Sequence, residues 1–598
     1  MTQTVVVISI GPVQGFIAAA RRMRDFAYGS RLLVELARVT ARELKKRKFE
    51  VIFPADPDKD APNKLVALYR SDAKDIPVRM NEIHVEVNQF LQHTMQTVID
   101  KFNNVSIPLT DESKKRAHAQ IKDILEFYWA FASKPTYRDA LESAELALAA
   151  RKSLRNAGAF PMGAALPKSS LTGHYESILP EENYNLVGSR AKKFRYTYGV
   201  RNAERISGID FLKRHGSFAG LRTKFTSVAL MAARGALQRA GKRTRHVTTK
   251  LWQTDAQFNE SWRSIDAELS YYDSEERTDG VSFDQSDYAE CLFESRVAEV
   301  VDNPQDMKNV VRSLNRLLSD HGIKTDKPYY ALLLADGDRM GKVISACTSA
   351  ATDESLHKQF SQALSQFADQ VKAVVSQHDG EAIYTGGDDV LAILPVMTAV
   401  SCANEIQQLF AQKLQPVFGN IKHKLDDETK NAGLSVSIGV AIVHHMEPLA
   451  DALDIVRKAE KAAKKWRSAL AITVSKRSGS DITVSGQWQS GFVQRINDIT
   501  QMLRREQLPD GYAYEIRELM SRLYPDVTLR PVGTDFATLS HVLMLEEQRI
   551  LKRKKDAQGE RVNVDAINAI RQTIAMNYGE FAHVSEWVNE IIVARELM

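Results

Sequence analysis

The stretch YTGGDD at residues 384–389 lies between two apolar segments and ends in two adjacent carboxylates, Asp388 and Asp389. The segments 381–385 and 390–394 are rich in aromatic, β-branched and aliphatic residues, so each predicts a short strand. The glycine pair permits the positive φ angles of a tight hairpin turn. Adjacent aspartates repel each other unless a cation lies between them, and oxygen ligands of this kind suit Mg²⁺ or Mn²⁺. The stretch alone fits a solvated turn as well as a metal-binding hairpin.

The residues upstream favour the metal-binding hairpin. An apolar strand at 329–335 ends in Asp336-Gly337-Asp338, and a helical pattern begins at Val343. If this strand lies beside the hairpin, up to four carboxylates surround one or two cations, which is the arrangement that supports in-line phosphoryl displacement. Backbone N–H groups at the helix start are then expected to hold a triphosphate. The pattern is not a P-loop, because its glycine spacing is one residue short and Val343 replaces the metal-binding Ser or Thr.

The surrounding segments predict a palm-like βαββαβ order. Helical patterns cover 356–376 and 400–414, a strand covers 434–445, and a further helix covers 449–466. That last helix carries four lysines, Lys458, Lys461, Lys464 and Lys465. Some of them share one face, where they would receive phosphates, although a solvated basic face explains each lysine equally well. His444, at the strand end, is expected to contact a base or ribose rather than zinc.

Three motifs in this order resemble one family: ADGDRMG at 335–341, IYTGGDDVLA at 383–392 and SIGVAIVHH at 437–445. The family is the large palm subunit (cyclase and polymerase-like) of type III CRISPR effector complexes. The opening ISIGPVQGFI at 8–17, followed by Arg21, Arg24, Asp25 and Gly29-Ser30, resembles its Cmr-type (III-B) branch. The resemblance extends from near residue 5 to near residue 470.

The resemblance implies an enzyme that converts ATP into cyclic 3′–5′ oligoadenylate second messengers once a guide crRNA pairs with target RNA. It also implies a multisubunit Cmr-type complex with a helical small subunit and an adjacent backbone subunit. The implied catalytic and metal-binding residues, for Mg²⁺ or Mn²⁺, are Asp336, Asp388 and Asp389. The expected nucleotide-binding residues are Gly337, Asp338, Gly341, Lys342, Gly386, Gly387, His444 and Lys464.

Two departures from fuller family members bear on function. Many members begin with an HD nuclease domain, whereas a strand starts here by Thr4, so no DNase activity is expected. Relatives often carry a zinc ribbon, but residues 167–173 have Ser and Thr where cysteines are expected. Cys291, Cys347 and Cys402 show no CxxC spacing, so no zinc is expected, and scattered cysteines suit a reducing cytosol. Without a leader or an apolar run of ~18 residues, the sequence predicts a cytoplasmic protein with no membrane contact.

The overall charge is too small for a polycation. The chain has 598 residues, of which 80 are Lys or Arg and 75 are Asp or Glu, so the net charge is +5. Local basic clusters therefore matter more for RNA binding, although each is more often a solvated face. The second cluster interleaves aromatic residues as single-strand binders do. The clusters are residues 21–24, 192–196, 242–245 and 552–555.

The expected fold class is α+β, with two ferredoxin-like palm (nucleotidyl cyclase) domains, one of them degenerate, and two mainly helical domains. The N-terminal half repeats the palm plan without an acid after its first strand at 5–10. The last helix carries an apolar stripe for which core packing is the default, and docking of a small helical subunit is the functional alternative. The expected domains are 1–205 (degenerate palm with a vestigial zinc-ribbon region), 206–322 (helical), 323–475 (active palm) and 476–598 (helical).

Other functions remain open at this stage. Diguanylate cyclases share the hairpin and the upstream Asp, but they usually carry Glu where Asp389 stands and lack a degenerate second palm. A catalytically silent RNA-binding scaffold has no physical need for mutually repelling acids at one place. A processive polymerase shares the two-metal chemistry but needs a template channel, of which the sequence gives no sign.

Overall fold

The structure is a computed structural model. It describes residues 2–58, 62–154, 166–201, 203–220, 226–241, 256, 260–261, 292–300, 303–348, 354–477, 479–509, 511–523, 536–574 and 579–598.

Ten strands lie in this described part of the chain. They are β1 Gln3–Gly11, β2 Phe49–Phe53, β3 Lys64–Tyr69, β4 Glu126–Lys134, β5 Tyr329–Gly337, β6 Glu381–Gly386, β7 Asp389–Leu394, β8 Val436–His444, β9 Ala469–Val474 and β10 Ile482–Gln487.

The helices of the N-terminal half and the middle region are α1 Gln14–Ala18, α2 Met23–Lys46, α3 Ile76–Lys101, α4 Asp111–Ile124, α5 Tyr137–Ser153, α6 Gly188–Tyr198, α7 Gly208–His215, α8 Val228–Arg239, α9 Glu294–Val300 and α10 Pro304–Asp320. The later helices are α11 Met340–Thr348, α12 Ser355–Gln377, α13 Val396–Ile421, α14 Asp427–Ala432, α15 Leu449–Trp466, α16 Phe492–Arg504, α17 Tyr512–Leu523, α18 Phe536–Arg553, α19 Val564–Arg571 and α20 Gly579–Glu596.

The second sheet has the strand order β10-β9-β8-β5-β7-β6. β5 lies between β7 and β8 and is antiparallel to both, while β8 and β9 are parallel. Along the chain, β5, α11 and α12, the β6–β7 hairpin, α13 and β8 follow one another in the predicted palm order. This order brings the end of β5 beside the hairpin turn, as the sequence predicts.

The first sheet repeats this plan. Its order is β2-β3-β1-β4, which is the order β6-β7-β5-β8 of the second sheet with each strand replaced by its counterpart. β1 ends in Gly11 and is followed by Pro12, so no acid stands at the position that Asp336 occupies at the end of β5. The prediction of two palm domains, one of them degenerate, is confirmed.

The two palms share a core because β5 is buried on both faces. Tyr330 and Leu332 belong to a cluster that extends through the N-terminal half, whereas Ala331 and Leu333 belong to a cluster that extends into the C-terminal helices. Period-2 alternation of side chains gives each set its own face.

Polar contacts also join the palms. Ser30 Oγ in α2 donates to the Ile383 carbonyl in β6 at 3.2 Å. Tyr137 Oη in α5 lies 2.9 Å from His357 Nδ1 in α12, and both residues are buried.

Core packing, the default interpretation of the apolar stripe in the last helix, is confirmed. The apolar stripe of α20 does not form a docking surface, because its side chains are at most 2% exposed and pack in the core: Val584, Trp587, Val588, Ile591 and Ile592. In α6, Phe194 is buried as well, so it cannot stack on bases from that surface. The palm sheet also continues past residue 475, since β10 pairs with β9.

Residues 242–245 and Cys291 lie outside the described residues. None of the described helices combines the length and the apolar character that a membrane span requires.

Candidate active site

Three carboxylates meet where β5 ends beside the hairpin turn. One oxygen atom from each of Asp336, Asp388 and Asp389 lies within 4.8 Å of the other two, and Asp336 and Asp388 are half-buried. Among the described residues, no other group of three His, Cys, Asp or Glu side chains has this geometry. The structure thus brings together the three acids that the sequence predicts as metal ligands.

Glycines create the space for this approach. A Cβ on Gly337 would lie 2.8 Å from Asp388 Oδ2 and 3.0 Å from Asp388 Cβ, distances that side chains do not tolerate. Gly387 has φ +70°, which a glycine adopts without strain, and it turns the chain between β6 and β7. Gly386 lies beneath the Tyr384 ring, where any side chain would collide with the phenol.

The three carboxylates carry like charges and repel one another. Burial raises the pKa of Asp388. Burial raises the pKa of Asp389 too, and repulsion from Asp388 and Glu460 raises it further. The protein alone therefore resists full ionisation of the site, and a divalent cation would relieve this resistance. An all-oxygen donor set of this kind fits Mg²⁺ or Mn²⁺.

The ammonium group of Lys464 in α15 places a positive charge beside the three acids. Its Nζ contacts Asp336 Oδ2, and it lies 3.4 Å from Glu460 Oε1, one helical turn earlier. α15 reaches the site because Gly439 in β8 has no side chain: a Cβ there would lie 2.2 Å from the Glu460 backbone nitrogen. Burial, followed by repulsion from Arg467, lowers the pKa of Lys464.

Asp338 is not a fourth ligand of this cluster, and the expectation that it binds nucleotide needs correction. Its carboxylate is 4% exposed. It accepts hydrogen bonds from Ser435 Oγ, Ser437 Oγ and the Ser468 backbone N–H, each at 2.8 Å. These bonds tie the ends of β5, β8 and α15 together, so Asp338 positions the elements that carry Asp336 and Lys464.

His444 lies too far from the acids for the predicted contact with the same nucleotide. In the antiparallel register, Tyr329 pairs with His444 and Asp336 pairs with Ser437. Seven residues of strand, about 23 Å, therefore separate His444 from Asp336 along the sheet. His444 Nδ1 instead accepts the Met446 backbone N–H at 3.0 Å.

Lys342 is exposed at the start of α11, and its Nζ lies 2.6 Å from Asp426 Oδ2. Gly341 is exposed beside it, with open space where a Cβ would stand. Both residues border the site without touching the three acids, so a role in nucleotide binding stays a prediction.

Sequence reasoning missed Glu460 and the serines that hold Asp338. The i, i+4 spacing of Glu460 and Lys464 was a signal for the first, because such residues share one helix face. Ser435 and Ser437 sit two residues apart at the start of β8 and so point to one face, but their partner depends on the pairing of β8 with β5.

The paired βαββαβ sheets, with an acid cluster at the strand end of one, define a palm protein of the nucleotidyl cyclase type. The family model described as Cas10/Cmr2, second palm domain, matches residues 329–471, and the model described as CRISPR-associated protein Cmr2, N-terminal, matches residues 5–126. The chain belongs to the Cas10/Cmr2 family and is a Cmr2-type (III-B) member.

One relative is the CRISPR system Cmr subunit Cmr2 of Pyrococcus furiosus (strain ATCC 43587 / DSM 3638 / JCM 8422 / Vc1), which is 31% identical over 233 residues. The match covers 34% of this chain and 25% of that relative, so the chain spans about a quarter of the curated relative's length.

Solved structures have the same fold. A chain of the type III-B Cmr-beta complex in its apo state matches with a TM-score of 0.60 and 11% identity, covering 94% of this chain and 77% of that chain. A chain of type III-B Cmr-beta bound to cognate target RNA matches with a TM-score of 0.58 and 11% identity, covering 94% and 80%.

Proposed function

We propose that this chain is the catalytic large subunit of a type III-B CRISPR ribonucleoprotein. In this proposal, pairing of a guide RNA with target RNA activates the conversion of ATP to cyclic oligoadenylates by 3′–5′ nucleotidyl transfer. The observation that carries the proposal is the convergence of Asp336, Asp388 and Asp389 within 4.8 Å, beside Lys464. Burial raises the pKa of Asp388 and Asp389, so placing these acids beside Asp336 is costly for the protein alone and has a use in metal binding.

Asp336, Asp388 and Asp389 would hold the metal. Bound Mg²⁺ or Mn²⁺ supplies the chemistry that lowers the pKa of a ribose hydroxyl and neutralises a leaving pyrophosphate. Asp388 lies in the two-residue turn and Asp389 begins β7, where it pairs with Gly386 of β6, so a tight hairpin fixes the positions of both acids.

Lys464 would bind the triphosphate. In the free chain its ammonium contacts Asp336. Once a cation engages Asp336, the ammonium is free to turn toward phosphate oxygens, and α15 keeps it within reach of the site. Asp338 holds the end of α15 in register through the Ser468 backbone N–H.

RNA and protein partners follow from the family. A structural relative, Cmr-beta, has been solved bound to cognate target RNA. We extend to this chain a place in a comparable complex, with guide crRNA, target RNA, a helical small subunit and an adjacent backbone subunit as partners.

The test is mass spectrometry of the products formed from ATP and Mg²⁺ by the complex, with matched or mismatched target RNA. Cyclic oligoadenylates are expected only with matched RNA. Asp388→Asn combined with Asp389→Asn is expected to abolish the product and to leave RNA binding intact, because the acids serve the metal.

The control is Asp451→Asn, which removes an exposed carboxylate from the first turn of α15 and is expected to retain activity. Guide RNA bound without any product in the wild type would instead favour the silent scaffold. Long linear RNA as the product would favour a polymerase.

A further inference from the structure

Three arginine side chains converge beside Gly199, where α2 begins and α6 ends. A Cβ on Gly199 would lie 3.2 Å from Arg24 Nη2, 3.6 Å from Arg22 Nη1 and 3.2 Å from Arg214 Cδ. A fourth arginine, Arg21, is exposed at the rim. We call Arg21, Arg22, Arg24 and Arg214 the arginine cluster. The fold thus brings basic residues 21–24 next to the end of the basic helix α6.

The acids near the arginine cluster do not balance its charge. Asp25 and Glu204 are the two carboxylates involved, so four guanidinium groups against two carboxylates leave two positive charges. Both acids pair with Arg214, whose Nη2 lies 2.7 Å from Asp25 Oδ2 and 2.9 Å from Glu204 Oε1. Glu204 Oε2 also lies 3.9 Å from Arg21 Nη1. The second Glu204 oxygen accepts the Arg201 backbone N–H at 3.0 Å.

Arg22 and Arg24 therefore lack a hydrogen-bonded acid within the described ranges. Arg24 Nε is buried and makes no hydrogen bond. Burial, followed by repulsion from Arg214 and Arg24, lowers the pKa of Arg22 to about 10. Partly buried like charges of this kind are costly unless an anion joins them.

Two neighbouring basic residues, Lys213 and His215, do not offset this charge. Lys213 is buried and donates its ammonium protons to the carbonyls of Phe16 and Ala19. Burial, with repulsion from Arg24 and Arg214, lowers the pKa of His215 well below its usual value, so this ring is neutral. The 24-residue helix α2 also begins here without a side-chain cap, so its free N–H groups and positive dipole end point the same way.

We infer that the arginine cluster binds a phosphate group of single-stranded RNA. The planar guanidinium fork matches two phosphate oxygens, and exposed Arg21 gives the site an open side. Phe194 in α6 is buried and offers no ring for stacking, and contacts to phosphate carry no sequence information. The inference rests on the proposed function only for the identity of the RNA. A nucleoside triphosphate offers the same chemistry and is the second possible source of phosphate.

The test compares the wild-type chain with Arg22→Gln, Arg24→Gln and the double variant. Arg42→Gln is the matched control, because it removes an exposed arginine from the far end of the same helix. Fluorescence anisotropy with a labelled uridine-rich RNA of about 20 nucleotides, across a salt series, gives the affinity and its salt dependence.

Each single variant is expected to bind RNA about tenfold more weakly, since hydrogen bonds between charged groups are strong. The slope of log K against log salt should fall by about 0.7 for each phosphate that the variant no longer neutralises. Calorimetric titration with ATP forms a second arm: weaker ATP binding with unchanged RNA affinity assigns the phosphate to a nucleotide. Unchanged affinity for both ligands overturns the inference.

Thermal melting separates binding from a structural role. Without ligand, Arg22→Gln is expected to melt no lower than the wild type, because it removes an uncompensated charge. Inorganic pyrophosphate should raise the melting temperature of the wild type and not that of the double variant. A lower melting temperature for ligand-free Arg22→Gln would mark the arginine as structural and overturn the inference. None of these measurements uses ATP turnover, so they stand even if the chain proves to have no cyclase activity.

Discussion

The substitution Gly337→Ala tests the geometry of the acid cluster with a single methyl group. The new Cβ would lie 2.8 Å from Asp388 Oδ2 and 3.0 Å from Asp388 Cβ. Ordinary contact needs about 3.4 Å, so the hairpin must move away from β5 by about half an ångström. A displacement of 1 Å in a catalytic group costs about 10²-fold in rate, so a loss of about tenfold is expected here.

Two assays measure the effect. The first is the initial rate of oligoadenylate formation by the activated complex, followed by mass spectrometry. The second is Mn²⁺ affinity, read by electron paramagnetic resonance, which reports on the three acids whatever the product is. We expect both to fall together in Gly337→Ala, since the same displacement opens the metal site.

Gly419→Ala is the matched control, because it makes the same change in helix α13, where nothing lies within 4 Å of the new Cβ. It should retain the wild-type rate and Mn²⁺ affinity. Wild-type Mn²⁺ affinity in Gly337→Ala would refute the reasoning that this glycine sets the distance between β5 and the hairpin.

Three further predictions concern stability and substrate binding. Asp338→Ala leaves the donors of Ser435, Ser437 and Ser468 without their acceptor, so the free energy of unfolding in urea should fall by about 3 kcal/mol. An unchanged free energy would contradict the conclusion that Asp338 holds β5, β8 and α15 together. Burial lowers the pKa of His357 from 6.5 to about 4, so the unfolded chain takes up a proton first as the pH falls. Stability is therefore fully present above pH 6.5 and lost toward pH 4, by about 3 kcal/mol, and the pH profile should flatten in His357→Gln but not in exposed His93→Gln. Lys464→Ala should raise the KM for ATP about tenfold, while exposed Lys458→Ala leaves it unchanged; equal effects in steady-state kinetics would argue for a general basic face.

Much of the site was predictable because local sequence carries its geometry. Asp388 and Asp389 follow a glycine turn between two strands, so hairpin formation alone fixes their place. Asp336 could be added because it ends an apolar strand and precedes a helix. Lys464 was predictable as one of four lysines on a helix, although the spacing did not say which of them faces the acids.

The missed features depend on pairing between distant segments. Asp338 and Asp336 are two residues apart and looked equivalent, but only Asp338 meets the hydroxyls of β8. His444 was placed near the nucleotide, whereas the antiparallel register carries it to the far end of the sheet. The apolar stripe of α20 correctly predicted a helix but not which residues pack against it. An apolar helix face that is buried in a core has the same sequence pattern as one that binds a partner.

The hydrogen bond from Ser30 to the Ile383 carbonyl connects the start of α2, next to the arginine cluster, with strand β6 of the catalytic palm. Ser30 lies eight residues beyond Arg22, which is about 12 Å along the helix axis. Arg22 and Arg24 lie at the start of this segment, and Ser30 contacts β6, the strand that leads into the catalytic turn. A displacement at the arginines would therefore reach this strand through α2 and its contacts with β6, one of which is the Ser30 hydrogen bond. Ser30→Ala would leave both sites intact and remove the polar part of this connection.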